Sequence, residues 1–472
     1  MISTMKLPMA RQNLPPLPGQ LSRRRLLRLA PLSGAMALAA GCALGGTGAG
    51  PESAGQRASG APLEVTFMRP ADQTLAAAYV AQADAFNKKQ SKLVARFDPG
   101  AGTDYAGWLT KITTMLASDT APDCFLVQQA DLPALASTGS LLVLDPSLTR
   151  DRKEVNPDDF FPAHLEGGRW RGRQVGLTPD GCAVLEYYNA NLFDEAGVPR
   201  PRPAWTWDDY LDAARRLTKK DGNGQMVQAG IGTLPSGSNL LPWLWSNGAD
   251  LLSADFTRVT VADAPAVQAL QFAVDLVTKH GVTTGSPGVA LGPSPNVAGK
   301  VAMWRANRGA FGSLRDVTTF KFNVVPLARA PRTGQSTTFT TPGHISIGRS
   351  NKHPEAAWTW LKYLTSTEAQ IIRSQVQQGG CPSRKSATQD PSYKDLTIPA
   401  LESTAANQTF ASVLVDPKTA RFIPQYIAMN EALDTLDRHI AAALRGEQAV
   451  PAACQAAKQE LEALLKQKPQ PQ

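Results

Sequence analysis

The chain has 472 residues, of which 48 are Lys or Arg and 40 are Asp or Glu, so its formal net charge at pH 7 is +8. Six of these positive charges and no negative charge lie in residues 1–41, which leaves +2 for the remainder. Without a cluster of basic and aromatic residues, this composition excludes a nucleic-acid-binding protein. The chain has only five His, and its Cys residues lack the spacing of metal ligands, so we expect no metal site. We also expect no cofactor.

Residues 1–41 follow the order of a secretory signal peptide: basic, apolar, then small residues. The apolar part, residues 29–41, is shorter than the roughly 20 residues that a membrane-spanning helix needs. The segment "SRRRLL" resembles a twin-arginine export signal, and "LAAGC" resembles a bacterial lipobox. This resemblance implies cleavage before Cys42, lipidation of its sulfur, and anchoring to a membrane. An ordinary signal peptide followed by a chance cysteine is the alternative, and the export route stays open.

Residues 42–61 are rich in Gly, Ala and Ser, and we expect them to form a flexible tether. Roughly 400 residues follow, more than one core usually serves, which predicts two domains. Strand and helix patterns alternate here. They predict strands at 63–67, "LVARFD" and 124–127, and helices at 75–86 and 105–117. This alternation predicts an α/β fold with a parallel sheet covered on both faces.

Three later helices have clear boundary signals. Thr206 and Asp209 form a pattern that is typical of a capping box at a helix start. Apolar residues at 267, 270, 274 and 277 share one helix face, and Gly281 follows as a stop signal. Pro354 opens "PEAAWTWLKYL", where its missing N–H is harmless.

Several stretches in the same order carry a resemblance to a known family. The chain contains "YAGWLTKITTMLASDTAPDCFLV", "DDFFPAHLEGGRWRGRQVGLTPDGCAVLEYYNANLFDEAGV", "WTWDDYLDAARRLT", "GKVAMW", "FKFNVVPLARAP" and "GHISIGRSNKHPEAAWTWLKYLTSTEAQ". Together they resemble the extracellular solute-binding proteins of bacterial ABC importers, the class that includes maltose-binding protein. The resemblance covers nearly all of residues 62–460.

This resemblance implies a two-lobed α/β fold of the periplasmic-binding-protein type (class II), with a ligand cleft between the lobes and a hinge that the chain crosses several times. The N-terminal lobe would take residues 62–180 and 327–370, the C-terminal lobe 181–326 and 371–465, and 466–472 would be a tail. On this layout Cys182 and Cys381 lie near the crossings, which is the only reason to pair them. The states of Cys124 and Cys454 stay open.

Candidate ligand-binding residues of the N-terminal lobe follow the carboxyl ends of strands, where open α/β sheets bind ligands. They are Arg69, Asp72, Gln128 and Asp180, with Gly343 in a small-residue turn whose backbone can approach a ligand. For the polar residues, a solvated loop or a helix cap is the alternative role. Gln73, Gln129, His344 and Arg384 are weaker candidates.

In the C-terminal lobe we expect an aromatic floor from Trp243 or Trp245, one facing the cleft and the other packing. Tyr188 has core packing as its alternative role. Trp304 and Arg308 follow "GKVAM", where this family often contacts ligand. An arginine there suggests an acidic or phosphorylated ligand, although a surface role competes with this interpretation.

The resemblance implies a function of capture without chemistry. A small solute, foremost a sugar or oligosaccharide, would be bound by a monomer and delivered to a two-subunit permease with a cytoplasmic ATPase. Sugar acids, glycerol phosphate and polyols also fit. The alternatives are a secreted carbohydrate-active hydrolase, whose two carboxylates would flank a bond, and a sensor or adhesin with the same fold. Lipidation of Cys42 would place the protein at the outer face of the cytoplasmic membrane or in the periplasm.

Overall fold

A computed structural model describes residues 62–100, 104–232, 236–340, 342–377 and 379–470. The predicted signal peptide, the lipobox with Cys42 and the whole of the predicted tether lie outside these residues. Within the described ranges, no helix combines the length and the apolar character that crossing a membrane requires.

The strands of this part of the chain are mostly four to six residues long. They are β1 (Leu63–Met68), β2 (Leu93–Asp98), β3 (Cys124–Gln128), β4 (Arg169–Trp170), β5 (Arg173–Gln174), β6 (Leu177–Asp180), β7 (Leu185–Asn189), β8 (Lys219–Lys220), β9 (Met226–Ile231), β10 (Val301–Ala306), β11 (Phe322–Val325), β12 (Thr338–Phe339), β13 (Gly343–Ser346) and β14 (Ala420–Arg421).

The helices vary more in length, from single turns to five turns. They are α1 (Gln73–Lys89), α2 (Tyr105–Ala117), α3 (Leu132–Ser137), α4 (Asp145–Arg150), α5 (Arg152–Val155), α6 (Pro162–Glu166), α7 (Ala190–Glu195), α8 (Trp207–Leu217), α9 (Leu241–Ser246), α10 (Ala264–Thr278), α11 (Phe311–Leu314), α12 (Pro354–Leu364), α13 (Thr367–Gln377), α14 (Pro391–Lys394), α15 (Ala405–Ser412), α16 (Met429–Leu444) and α17 (Val450–Gln467).

The first sheet has the strand order β2-β1-β3-β13-β6. Strand β1 runs parallel to β2 and β3, as the alternation of strands and helices predicts. Strand β13, which the alternation did not predict, is antiparallel to both β3 and β6, so the sheet is parallel for the predicted strands and mixed as a whole. Strand β13 follows the second sheet in the sequence, so it enters the first sheet when the chain returns from the other lobe and not through a strand–helix–strand unit.

The second sheet has the order β11-β7-β10-β9-β8. Strand β7 lies antiparallel between β10 and β11, while β10 and β9 are parallel. Two further pairs, β12 with β14 and β4 with β5, form small ribbons.

Each large sheet is covered by apolar side chains on both faces. In β3, Leu126 packs on the side of Trp358, whereas Phe125 and Val127 pack with Trp108 on the other side. The second sheet divides in the same way, with Tyr188 in one core and Tyr187 in the other. Two sheets with separate cores on both faces are the two lobes of the expected fold class.

The boundary signals of the later helices are confirmed. Thr206 and Asp209 form a reciprocal capping box at the start of α8. Pro354 occupies the first turn of α12. Helix α10 ends at Thr278, and Gly281 follows with a φ of +60°, a left-handed conformation that glycine adopts without strain.

The chain passes between the two sheets along adjacent segments. Ala183 bridges to Thr340, and the Gly181 N–H donates to the Cys381 carbonyl over 3.0 Å. A disulfide joins Cys182 to Cys381, whose Cα atoms lie 5.3 Å apart, so the predicted pairing is confirmed. Cys124 and Cys454 are free and buried.

Candidate functional site

The topology makes one edge of each sheet face the other. The chain leaves β6 at Asp180 and enters β7 at Leu185, with only residues 181–184 between them. The first edge therefore carries the carboxyl ends of β1, β3 and β6, and the second carries the start of β7 with the ends of β9, β10 and β11. Ligands of α/β sheets bind at the carboxyl ends of parallel strands, so the gap between these two edges is the candidate site.

Three predicted site residues form a row on the first edge. Gly343 pairs in register with Gln128 on one side and with Asp180 on the other. A Cβ atom on Gly343 would lie 2.8 Å from the Leu126 side chain, so a larger residue here would require Leu126 to shift. The row thus offers an exposed amide side chain, a bare backbone and a carboxylate to the gap.

Arg69 is joined to this row through a buried network that the sequence did not reveal. Asp180 forms an ion pair with Arg373 of α13. The Arg373 Nη1 donates to the Tyr79 hydroxyl over 3.1 Å, and the Arg69 Nη1 donates to the same oxygen over 3.0 Å. Burial would lower the pKa of Arg373, but Asp180 and Tyr79 hold it above its ordinary value. Two guanidinium groups therefore converge behind this edge.

A second group of polar residues at this edge was also missed. The Gln128 N–H donates to the Tyr105 hydroxyl over 2.7 Å. Asp131 is buried and accepts a hydrogen bond of 2.6 Å from the Asn430 amide. Burial raises the pKa of Asp131, and the hydrogen bonds from Tyr105 and Asn430 oppose that rise. Nothing in the spacing of these residues pointed to them, because only the fold brings α16 to β3.

Asp72 has the alternative role that the sequence left open. It is the N-cap of α1, and its carboxylate accepts the Leu75 N–H over 2.8 Å. Tyr188 is buried against Phe193, with 5.6 Å between the ring centroids. Both residues therefore have a structural role, and their contact with a ligand stays a prediction.

At the second edge, a buried ion pair lies against one of the predicted tryptophans. The Arg305 Nε donates to Glu186 over 3.1 Å, and Tyr210 donates to the other carboxylate oxygen over 3.4 Å. The Arg305 guanidinium stacks on the Trp243 ring, 3.8 Å from its centroid. Burial raises the pKa of Glu186 to about 7, and Arg305 counteracts only part of this rise.

Trp245 lies under a second arginine. Both tryptophans are buried on helix α9. Because residues two positions apart on a helix do not share a face, the two indoles point to different sides. The Arg421 guanidinium lies 4.4 Å from the centre of the Trp245 ring and pairs with Asp250 over 2.7 Å. Each indole therefore has a guanidinium against its ring, and which indole a ligand would contact stays a prediction.

Trp304 and Arg308 lie inside the core of the second sheet. Trp304 stacks on Tyr187, with 5.4 Å between the ring centroids. Arg308 has no exposed surface, donates to the Asn407 side chain and the Gly380 carbonyl, and lies over the Tyr393 ring. Burial lowers its pKa. The structure brings neither side chain to the gap, and their contact with a ligand stays a prediction.

The weaker candidates His344 and Arg384 are buried in the first-sheet region. His344 bonds to the His164 carbonyl over 3.2 Å, and Arg384 pairs with Asp159 over 3.3 Å. Among the described residues, no group of three or more His, Cys, Asp or Glu could hold a metal ion.

Comparisons with known sequences agree on the type of protein. Residues 70–371 match the family described as bacterial extracellular solute-binding protein. A Sinorhizobium fredii protein named "Probable amino-acid ABC transporter periplasmic-binding protein" is 25% identical over 50% of this chain and 53% of its own length. The arabinooligosaccharide-binding protein of Halalkalibacterium halodurans is 26% identical over 30% of this chain and 31% of its own. The chain thus spans about half of the first relative's length and less of the second.

Solved structures resemble the chain over most of its length. An ABC substrate-binding protein of Listeria monocytogenes in complex with cycloalternan has a TM-score of 0.72 at 21% identity, covering 86% of this chain and 99% of its own. The cyclic α-maltosyl-1,6-maltose binding protein of Arthrobacter globiformis has a TM-score of 0.71 at 23% identity, covering 86% and 100%. These likenesses confirm the two-lobed fold.

Proposed function

The chain belongs to the bacterial extracellular solute-binding proteins, and from that premise we propose that it captures a neutral, hydroxylated solute, foremost a sugar or oligosaccharide, between its two sheet edges. The lobes would comprise residues 62–180 with 327–370 and residues 181–326 with 371–465. Gln128, Asp180, Gly343 and the Arg305–Trp243 pair would contact the solute.

The observation that carries this proposal is the charge balance of the two edges. Arg373 is paired with Asp180, and Arg305 is paired with Glu186. Each of these two guanidinium groups already binds a carboxylate of the protein, so neither is left free to bind the carboxylate or phosphate of an acidic ligand. Directional donors and acceptors remain, which is what hydroxyl groups require.

The fold neighbours support a sugar ligand, since one is described in complex with cycloalternan and another is named a cyclic α-maltosyl-1,6-maltose binding protein. One sequence relative is named for amino acids instead, so an amino acid is the alternative ligand class. We further propose that the protein acts as a monomer, is held at the membrane through Cys42, and delivers its solute to a permease without chemical turnover.

Ligand-dependent thermal unfolding tests the ligand class. We expect one or more neutral oligosaccharides to raise the Tm, because at a hundredfold excess over Kd a ligand stabilises the folded state by roughly 2.7 kcal/mol. Amino acids, sugar acids and glycerol phosphate should leave the Tm unchanged. A rise with amino acids alone would contradict the proposal, and release of smaller sugars would indicate a hydrolase.

The variant Gln128→Ala tests whether the ligand binds between the two sheet edges. Its side chain is exposed on the first edge, so its loss should weaken sugar affinity by roughly fivefold, the value of about one hydrogen bond, without lowering the Tm of the free protein. Asp434→Ala, an exposed substitution on α16, is the matched control. Equal affinities of the two variants would place the ligand elsewhere.

A further inference from the structure

Residues 423–430, which precede and begin α16, contact the first-sheet region at several points. The Gln129 side chain donates to the Ile423 carbonyl over 2.7 Å. The Gln425 amide donates to the Gly167 carbonyl over 3.1 Å, and the Asn430 amide donates to Asp131 over 2.6 Å. Three hydrogen bonds thus join one eight-residue segment to three points of the first-sheet region.

An apolar contact accompanies these hydrogen bonds. Ile427 packs against the first-sheet core that contains Trp108 and Phe125. The same side chain also packs against the core of the second sheet, where its neighbours Tyr426 and Met429 are fully buried. The segment is therefore anchored in the second lobe and extends to the first.

The position of the contacts matters because Gln129 is the next residue after Gln128 and Asp131 lies three positions after it. The segment meets the first lobe beside the candidate ligand row, just past the end of strand β3, whose last residue is Gln128. It also follows β14, whose Arg421 carbonyl accepts the Thr340 N–H of a hinge crossing over 2.9 Å. A movement that separates the two sheet edges would therefore have to break these bonds.

We propose that residues 423–430 form an interlobe latch, which holds the lobes together through Gln129, Asp131 and Gly167 and so sets the fraction of closed protein before any ligand binds. The inference rests on the proposed function, since closure matters only if a solute is captured between the lobes. Gln129, Asp131, Gln425, Ile427 and Asn430 are positioning residues, which act on affinity through the closed population.

The energetic argument follows from the nature of the bonds. A hydrogen bond to a carboxylate is stronger than one between neutral groups, so the Asn430–Asp131 bond is the strongest single element of the latch. Asn430 is exposed, so water competes for its amide and weakens that bond. We therefore expect its removal to reduce the apparent affinity by roughly three- to tenfold.

Small-angle X-ray scattering of the ligand-free protein tests the latch without any ligand. Asn430→Ala should increase the radius of gyration, and Asp131→Asn should give a smaller increase, because its amide oxygen still accepts the bond. Asp434→Ala, exposed further along the same helix, should leave the radius unchanged. An unchanged radius in Asn430→Ala would overturn the latch.

Calorimetric titration of the sugar found in the ligand screen gives the second readout. Asn430→Ala should bind it three- to tenfold more weakly, and combining it with Asp131→Asn should add little, because both act on one contact. Fully additive losses, or unchanged affinity in Asn430→Ala, would overturn the latch. If no sugar binds the wild type, the proposed function fails while scattering still decides the latch. If the Asp131 variant does not fold, Gln425→Ala, which removes the separate bond to the Gly167 carbonyl, should by itself increase the radius of gyration of the ligand-free protein, and an unchanged radius would contradict the latch.

Discussion

At the residue scale, two buried histidines lie where the hinge crossings meet the first sheet. The His164 Nε2 shares a hydrogen bond of 2.7 Å with the Thr340 hydroxyl, and its ring lies so close to Gly181 that any Cβ there would clash. His344 bonds to the His164 carbonyl. Charging either ring would place a cation in a dry interior, which is costly without a counter-charge.

Burial is the main cause that lowers the pKa of His164 to about 3 and that of His344 to about 4. In the unfolded chain both pKa values return to about 6.5. Below that pH the unfolded chain binds protons that the folded protein does not. The free energy of unfolding should therefore fall as the pH drops from 6.5 towards 4, by on the order of 1 kcal/mol per pH unit for each histidine.

Urea unfolding at pH 7, 6 and 5 measures this dependence. His344→Gln should show a shallower loss of stability than the wild type, and His353→Gln, which removes an exposed histidine, should match the wild type. Glu186 acts in the opposite sense, because its raised pKa makes the folded protein bind a proton that the unfolded chain has released. The test therefore compares, between the variants and the wild type, how steeply the free energy of unfolding changes with pH. Equal slopes in all three proteins would contradict it.

At the element scale, local signals predicted helix ends well. In α8 the Asp209 N–H donates to the Thr206 hydroxyl over 3.2 Å, and the Thr206 N–H donates to Asp209 over 2.8 Å. Thr206→Ala should lower the free energy of unfolding by about 1 kcal/mol, measured by urea unfolding. Thr114→Ala, an exposed threonine within α2, should not lower it. A loss of the same size in both variants would mean that the capping box adds nothing.

The parts that the sequence did not reveal depend on contacts between distant segments. The antiparallel strand β13 and the Asp180–Arg373 pair form only once the chain has returned from the second sheet. The order of the family stretches did predict the two-lobed fold. Gln128 and Asp180 were candidates because they follow strand ends, but only the structure shows that both pair with Gly343 in one row. Residue type alone could not show that Trp304 and Arg308 are buried, because tertiary packing decides which side of a strand or turn meets water.

At the scale of the whole molecule, the hinge combines adjacent crossings with one covalent link. The disulfide joins Cys182, beside the first crossing, to Cys381, 199 residues away. Closing so long a loop restricts the unfolded chain much more than the folded one, in which the two segments are already held side by side by the Gly181–Cys381 hydrogen bond. The bond should therefore stabilise the folded protein without shaping the ligand site.

Replacing both bridged cysteines by serine tests this view. The variant carrying Cys182→Ser and Cys381→Ser should lose about 4 kcal/mol of unfolding free energy in urea and keep the sugar affinity of the wild type within about twofold. Reductant should destabilise the wild type by the same amount and leave the variant unchanged, because Cys124 and Cys454 are buried free thiols. If reductant weakened sugar binding while stability stayed constant, the bridge would instead control the position of the lobes.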